Sequence, residues 1–125
     1  MERSAKTVLV VDDDPDVVDT LRVILERAGY AVVSAASSEQ GLRAYLAAAP
    51  DVVLVDLMME EVDAGTSFVK ELSLRGNKAP VYMLSSVGDA LSRTVDASSL
   101  GLAGVLQKPV DARTLVALLQ ERLGT

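Results

Sequence analysis

Five polar residues of this 125-residue sequence lie within two positions of the ends of apolar segments. Asp12 and Asp13 follow the first segment and Asp56 the third, whereas Ser85 follows the fourth and Lys108 the fifth. Carboxylates bind hard cations, a hydroxyl donates a hydrogen bond, and an ammonium balances negative charge. Side by side, these groups have the chemistry that phosphoryl transfer to a carboxylate requires.

Each of these residues also has an ordinary explanation when it is taken alone. Asp12 and Asp13 could be solvated where a strand ends, and Asp56 could begin an Asx-turn. Ser85 could bond to nearby backbone, and Lys108 could be a solvated lysine. The functional interpretation therefore depends on whether one fold brings all five together.

Composition removes several classes of function. Cys and His are both absent, which excludes thiol nucleophiles, histidine bases and zinc sites built on those residues. Twelve basic against eighteen acidic residues give a net charge of −6, which disfavours nucleic acid and anionic membranes as partners. The N-terminus has no apolar signal core, and no apolar run is long enough to span a membrane. We expect a soluble, cytoplasmic protein.

Short apolar runs recur along the whole chain and predict five strands. The runs have little polar alternation, which is typical of strands covered on both faces of a parallel sheet. They occupy residues Thr7–Val11, 31–34, 52–55, 81–84 and 104–106.

Helix-length segments separate these runs. Asp14 and Pro15 mark the start of the first helix, and Ser37 marks the start of the second. A third is predicted over 66–75, a fourth, weakly apolar one over 90–100, and a fifth after Asp111. The apolar stripe predicted for the first helix consists of Val17, Val18, Leu21, Ile24, Leu25 and Ala28.

Alternating strands and helices predict a single doubly wound α/β domain over residues 1–125, with an ordered core over 5–123. In such folds the functional crevice lies beyond the carboxyl ends of the strands. Neighbouring strands are about 4.8 Å apart, so three carboxylates would crowd there and would need a cation. Oxygen ligands with room for water and phosphate favour Mg²⁺.

These positions suggest a role for each side chain. Asp56 would accept a phosphoryl group, while Asp12 and Asp13 would hold the metal with it. Ser85 would donate a hydrogen bond to a phosphoryl oxygen. Lys108 would pair with the phosphoryl group, or with Asp56 before transfer.

Four segments in order make the chain resemble the CheY-like receiver domains of response regulators in two-component signalling. They read VLVVDDDPD, PDVVLVDLMM, APVYMLSS and LQKP. The resemblance implies a flavodoxin-like sheet in the order 2-1-3-4-5 and Mg²⁺-dependent phosphorylation by a histidine kinase, a phosphotransfer protein or a small donor. It also implies the backbone carbonyl of Met58 as a metal ligand, a cis Lys108–Pro109 bond, and output near the fourth helix, where a phosphorylation-dependent homodimer could form.

The chain departs from the usual receiver pattern at several positions. Glu60 and Glu61 replace the usual Pro and Gly. The two charges could belong to a loop that is merely solvated, or they could form a surface specific to one partner. Val105 stands where an aromatic side chain usually turns inward on activation, so we expect readout through the loop after Ser85. Met58 and Val87 are both apolar and cannot activate a water molecule, which predicts slow self-dephosphorylation.

Three other functions are alternatives to a phosphorylation switch. A receiver-like adaptor could have lost phosphorylation, although the complete set of charged residues argues against an idle pocket. A phosphohydrolase would need a general acid where Met58 stands. A flavin-binding domain would need a phosphate-binding loop after the first strand, where Asp12 and Asp13 would repel phosphate. The sequence therefore favours a signalling domain rather than a turnover enzyme, with an unknown downstream protein target.

Overall fold

The computed structural model describes residues 5–56, 64–86 and 102–123. Five parallel strands form one sheet in the order β2-β1-β3-β4-β5, which confirms the predicted doubly wound fold and its strand order. The strands are β1 (Thr7–Val11), β2 (Ala31–Ala35), β3 (Val52–Asp56), β4 (Val81–Ser86) and β5 (Gly104–Lys108).

The central strands have no polar face because helices cover both sides of the sheet. In β1 and β3, the eight residues from Val8 to Val11 and from Val52 to Val55 are completely buried. Successive side chains point to opposite faces, so Leu9 packs with Phe68 on one side while Leu54 packs with Leu115 on the other. This explains why the sequence shows continuous apolar runs rather than alternation.

Four helices lie in the described ranges, α1 (Pro15–Arg27), α2 (Ser38–Ala48), α3 (Ala64–Leu74) and α4 (Ala112–Leu123). None of these helices is long and apolar enough to cross a membrane. The helix predicted over 90–100 lies outside the described residues.

The predicted caps of three helices are present. Asp14 accepts the N–H of Asp16 at 2.9 Å, and the Ser37 hydroxyl accepts the N–H of Gln40 at 3.1 Å. At α4, the carboxylate of Asp111 accepts the backbone N–H and the hydroxyl of Thr114. These hydrogen bonds lower the pKa of Asp111.

The strands after β1 extend one or two residues further than predicted, and the difference affects the candidate site. Asp56 pairs in register with Leu84, and Ser86 with Lys108, because the parallel ladder continues past the apolar runs. Asp56 and Lys108 are therefore the last residues of their strands rather than the first residues of loops. A strand fixes the backbone of such residues more firmly than a loop does.

Ala49 ends α2 in the left-handed conformation, with φ of 46° and ψ of 62°. A side chain is strained in this region, whereas glycine adopts it freely. We expect Ala49→Gly to raise the free energy of unfolding by about 0.5–1 kcal/mol, measured by urea denaturation. The matched control is Ala28→Gly, because Ala28 ends α1 with φ of −85° and should lose stability instead. A loss of stability at both positions would contradict the explanation.

Candidate functional site

Asp12 is the first residue after β1 and is held in place by backbone hydrogen bonds. Its N–H donates to the carbonyl of Ala35 at 3.0 Å, and its Oδ1 accepts the N–H of Asp14 at 2.9 Å. The residue is buried, with 1% of its surface exposed, whereas Asp13 is exposed. One carboxylate of the predicted pair is therefore rigidly placed and the other faces solvent.

Lys108 bridges two of the predicted carboxylates. Its Nζ lies 2.9 Å from Oδ2 of Asp12 and 3.2 Å from Oδ1 of Asp56. The lysine side chain is 17% exposed, and those of Asp12 and Asp56 are 0% and 8% exposed. The ammonium starts from the end of β5 and reaches past β4 to the ends of β3 and β1.

This bridge changes the proton affinity of Lys108. Burial is the largest single influence and acts to lower the pKa of the ammonium. Hydrogen bonding and charge from Asp12, with a smaller contribution from Asp56, together outweigh it and raise the pKa above the ordinary value of 10.5. Lys108 is therefore a permanent cation at neutral pH.

One cation does not balance the local charge. Oxygens of Asp12, Asp13 and Asp56 all lie within 4.8 Å of one another. Oδ2 of Asp12 is buried, and the Lys108 ammonium at 2.9 Å is its partner among the described residues. Three carboxylates that each place an oxygen within 4.8 Å of the others, two of them on buried residues, form a donor set that fits a hard divalent cation such as Mg²⁺.

Ser85 lies on β4, which pairs directly with β3 in the sheet. It is 3% exposed and follows Leu84, the residue in register with Asp56. The structure thus brings Asp12, Asp13, Asp56 and Lys108 into one cluster and places Ser85 at the same edge of the sheet.

Some of the other sequence predictions fall on residues that the structure describes, and some fall outside them. The Lys108–Pro109 bond is cis, as predicted. Val105 is 49% exposed on β5. Met58, Glu60, Glu61 and Val87 lie outside the described residues, so the metal-ligand role of Met58 and the slow dephosphorylation stay predictions.

Sequence reasoning missed two contacts of this cluster. It paired Lys108 with Asp56 or a phosphoryl group, but the shorter of its two carboxylate distances is to Asp12. It also missed the Ala35 carbonyl that anchors Asp12 from β2. The sequence alone has no signal for the first contact, because it depends on how far a lysine reaches across the sheet.

The arrangement can be compared with known proteins. A family model for the response regulator receiver domain matches residues 8–120. The chain belongs to this family. Receiver domains are signalling domains of two-component response regulators, so the resemblance inferred from the four sequence segments is confirmed.

Curated relatives of this receiver domain are longer proteins. It is 32% identical over 123 residues to the probable transcriptional regulator ycf27 of Cyanophora paradoxa, covering 98% of this chain and 50% of the relative. It is 33% identical to the transcriptional regulatory protein GlrR of Escherichia coli, covering 98% and 27%. The chain thus spans about half the length of these relatives or less.

Solved structures agree with the same assignment over nearly the whole chain. A response regulator receiver domain protein from Clostridium thermocellum is 28% identical with a TM-score of 0.84, covering 95% of this chain and 94% of that one. The chemotaxis response regulator CheY4 of Vibrio cholerae is 29% identical with a TM-score of 0.82, covering 94% and 98%. The fold of the receiver domain is therefore established by sequence and by structure.

The crowding of carboxylates gives a prediction for Asp13, the exposed member of the cluster. We expect Asp13→Asn to stabilise the Mg²⁺-free domain by about 0.5–1 kcal/mol, because it removes one of three mutually repelling charges. The same change should reduce the rise in melting temperature that Mg²⁺ causes relative to EDTA. Glu121→Gln, at an exposed position on α4, is the control for loss of one acidic charge. An unchanged Mg²⁺ response in Asp13→Asn would contradict a metal role.

Proposed function

We propose that this receiver domain accepts a phosphoryl group on Asp56 in a Mg²⁺-dependent reaction and thereby switches a protein–protein interaction. The observation that carries the proposal is the Lys108 ammonium between Asp12 and Asp56, in a cluster where oxygens of Asp12, Asp13 and Asp56 lie within 4.8 Å of one another. The cluster has three carboxylates and one ammonium, so a bound divalent cation would neutralise the remaining negative charge.

The residues divide the work of the transfer. A carboxylate oxygen of Asp56 attacks phosphorus and forms the new P–O bond, while the bond to the donor breaks and its electron pair stays with the donor's nitrogen or oxygen. Lys108 balances the charge of Asp56 before transfer and can follow the phosphoryl oxygens afterwards. Asp12, Asp13, Asp56 and the carbonyl of Met58 would hold Mg²⁺. When bound, this ion neutralises charge on the phosphoryl group.

The output side of the proposal starts from Ser85. Its hydroxyl would donate a hydrogen bond to a phosphoryl oxygen and draw the following loop toward the site. Val105 is aliphatic, so the inward turn of an aromatic ring that usually accompanies activation at this position cannot occur. Amide exchange over 87–100 should therefore change when beryllofluoride and Mg²⁺ mimic the phosphorylated state, and an unchanged exchange rate would contradict this route.

Partners follow from the family and from charge. A sensor histidine kinase or phosphotransfer protein would supply the phosphoryl group, because this chain contains no histidine of its own. The relatives are named as transcriptional regulators. For these 125 residues we propose a protein target rather than nucleic acid, because the net charge of −6 repels phosphate backbones. We propose that residues 1–125 form one receiver domain and that this domain acts in the cytoplasm.

Mass spectrometry after incubation with acetyl phosphate and Mg²⁺ tests the phosphoacceptor. We expect a mass gain of one phosphoryl group that disappears in Asp56→Asn and with excess EDTA. The matched control is Asp51→Asn, because Asp51 lies just before the opposite end of β3 and accepts the backbone N–H of Thr7 there. A wild-type chain that gains no mass would favour the adaptor function instead.

A further inference from the structure

An apolar groove lies between α1 and α4, on the helix-covered surface rather than at the strand ends. Val23, Ile24 and Val116 are among its apolar lining residues, Arg27 and Arg113 are its charged ones, and Val23 has 50% of its surface exposed. A half-exposed valine in the lining of a mainly apolar groove is a feature that a partner can cover.

The charges around Val23 are arranged in a particular order along α1. Asp19 lies four residues before Val23 and Arg27 four residues after it, so the three share one face of the helix. Both charged residues are exposed, and neither makes an ion pair with the described residues. Arg22 and Glu26, by contrast, already pair with each other.

This order of charges is complementary to itself. Where two α1 helices cross antiparallel at Val23, Asp19 of each copy lies opposite Arg27 of the other. The symmetry repeats the ion pair on both sides of the valine contact, as a two-fold interface requires. A parallel crossing would place like charges opposite each other instead.

We propose that this face binds a second copy of the same chain, with the two α1 helices antiparallel and each Val23 at the edge of the other copy's groove. Residues of the phosphoryl-transfer cluster take no part in the interface. Formation of the dimer should therefore not require phosphorylation, and the proposal does not rest on the proposed function.

Exchange of the two charges tests the proposal. Sedimentation equilibrium of the unphosphorylated protein at concentrations up to about 1 mM should detect a dimer, including a weak one. Asp19→Arg alone and Arg27→Asp alone should each weaken dimerisation about tenfold, because each creates two like-charge contacts per dimer. The double variant, Asp19→Arg with Arg27→Asp, should recover wild-type affinity within about twofold, because the pairs are re-formed with opposite polarity.

Matched controls come from α2, where Glu39 and Arg43 form an exposed ion pair. Glu39→Arg and Arg43→Glu should leave dimerisation unchanged, and circular dichroism confirms that all variants are folded. A wild-type chain that stays monomeric overturns the proposal, as does a dimer that both single exchanges leave intact. A dimer that appears only with beryllofluoride and survives the exchanges uses another surface and also overturns it.

Discussion

Replacing Lys108 with methionine is expected to destabilise the Mg²⁺-free domain by about 3 kcal/mol, because removing one member of a buried ion pair leaves the other uncompensated. Here two carboxylates lose their cation, and the side chains of Asp12 and Asp56 are 0% and 8% exposed. Methionine keeps the length and most of the apolar stem of lysine, so the loss reports the charge. Urea unfolding in EDTA measures it.

Mg²⁺ should recover most of this loss, since a divalent ion supplies the missing positive charge. A ligand that binds only the folded state stabilises it by about 2.7 kcal/mol at one hundred times its dissociation constant. The variant should therefore respond to Mg²⁺ more strongly than the wild type, in which Lys108 competes for Asp12. Lys78→Met, at an exposed lysine, is the control and should change little. An equal loss with and without Mg²⁺ would count against the shared site.

The pH dependence of the Lys108→Met effect has a definite sign. The pKa of Lys108 is raised in the folded state, so its stabilising contribution is fully present below the unfolded value of 10.5 and disappears as pH rises through the folded value. The difference in stability between wild type and variant should therefore be constant from neutral pH to about pH 9 as far as Lys108 is concerned. It should shrink only in more alkaline solution.

Phosphorylation should respond to the same substitution. Removing a preorganised group that stabilises the charge developing in the transition state typically slows a reaction by about 10²-fold or more. We expect the rate of mass gain from acetyl phosphate to fall by about this factor in Lys108→Met, with saturating Mg²⁺ present to keep the variant folded.

Much of the fold could be predicted because local signals and the global arrangement agree. The caps at Asp14, Ser37 and Asp111 act within one helical turn, so sequence spacing is enough to find them. The strands β3, β4 and β5 end later than the apolar runs predict, since the ladder continues through polar residues that pair with neighbouring strands. Pairing of this kind depends on tertiary structure.

The candidate site shows the same division. The positions of Asp12, Asp56 and Lys108 at strand ends follow from the alternation of strands and helices. The lysine's contact with Asp12 does not, because β5 and β1 are separated by two strands in the sheet. On α1, the predicted apolar stripe left out Val23, and that residue is half exposed.

Truncation of Leu54 is expected to cost about 3 kcal/mol, within the usual range for a buried leucine replaced by alanine. Leu54 is fully buried at the middle of β3, pairs in register with Val10 and Tyr82, and packs in the cluster beneath α1 and α4. Little else can fill the space, since its neighbours are held by strands on both sides. Leu74→Ala is the matched control, because Leu74 is 84% exposed and should change stability by less than about 0.5 kcal/mol.

The same variant separates folding from chemistry. Leu54 lies two residues before Asp56 on β3, and its side chain points into the core rather than to the carboxyl end of the sheet. Folded Leu54→Ala protein should therefore gain a phosphoryl group at nearly the wild-type rate at low temperature, while its urea midpoint falls sharply. Lys108→Met should show the opposite combination in Mg²⁺, near-normal stability with slow phosphorylation. If both variants lost rate in proportion to stability, the cluster would be a structural ion pair and not a reactive site.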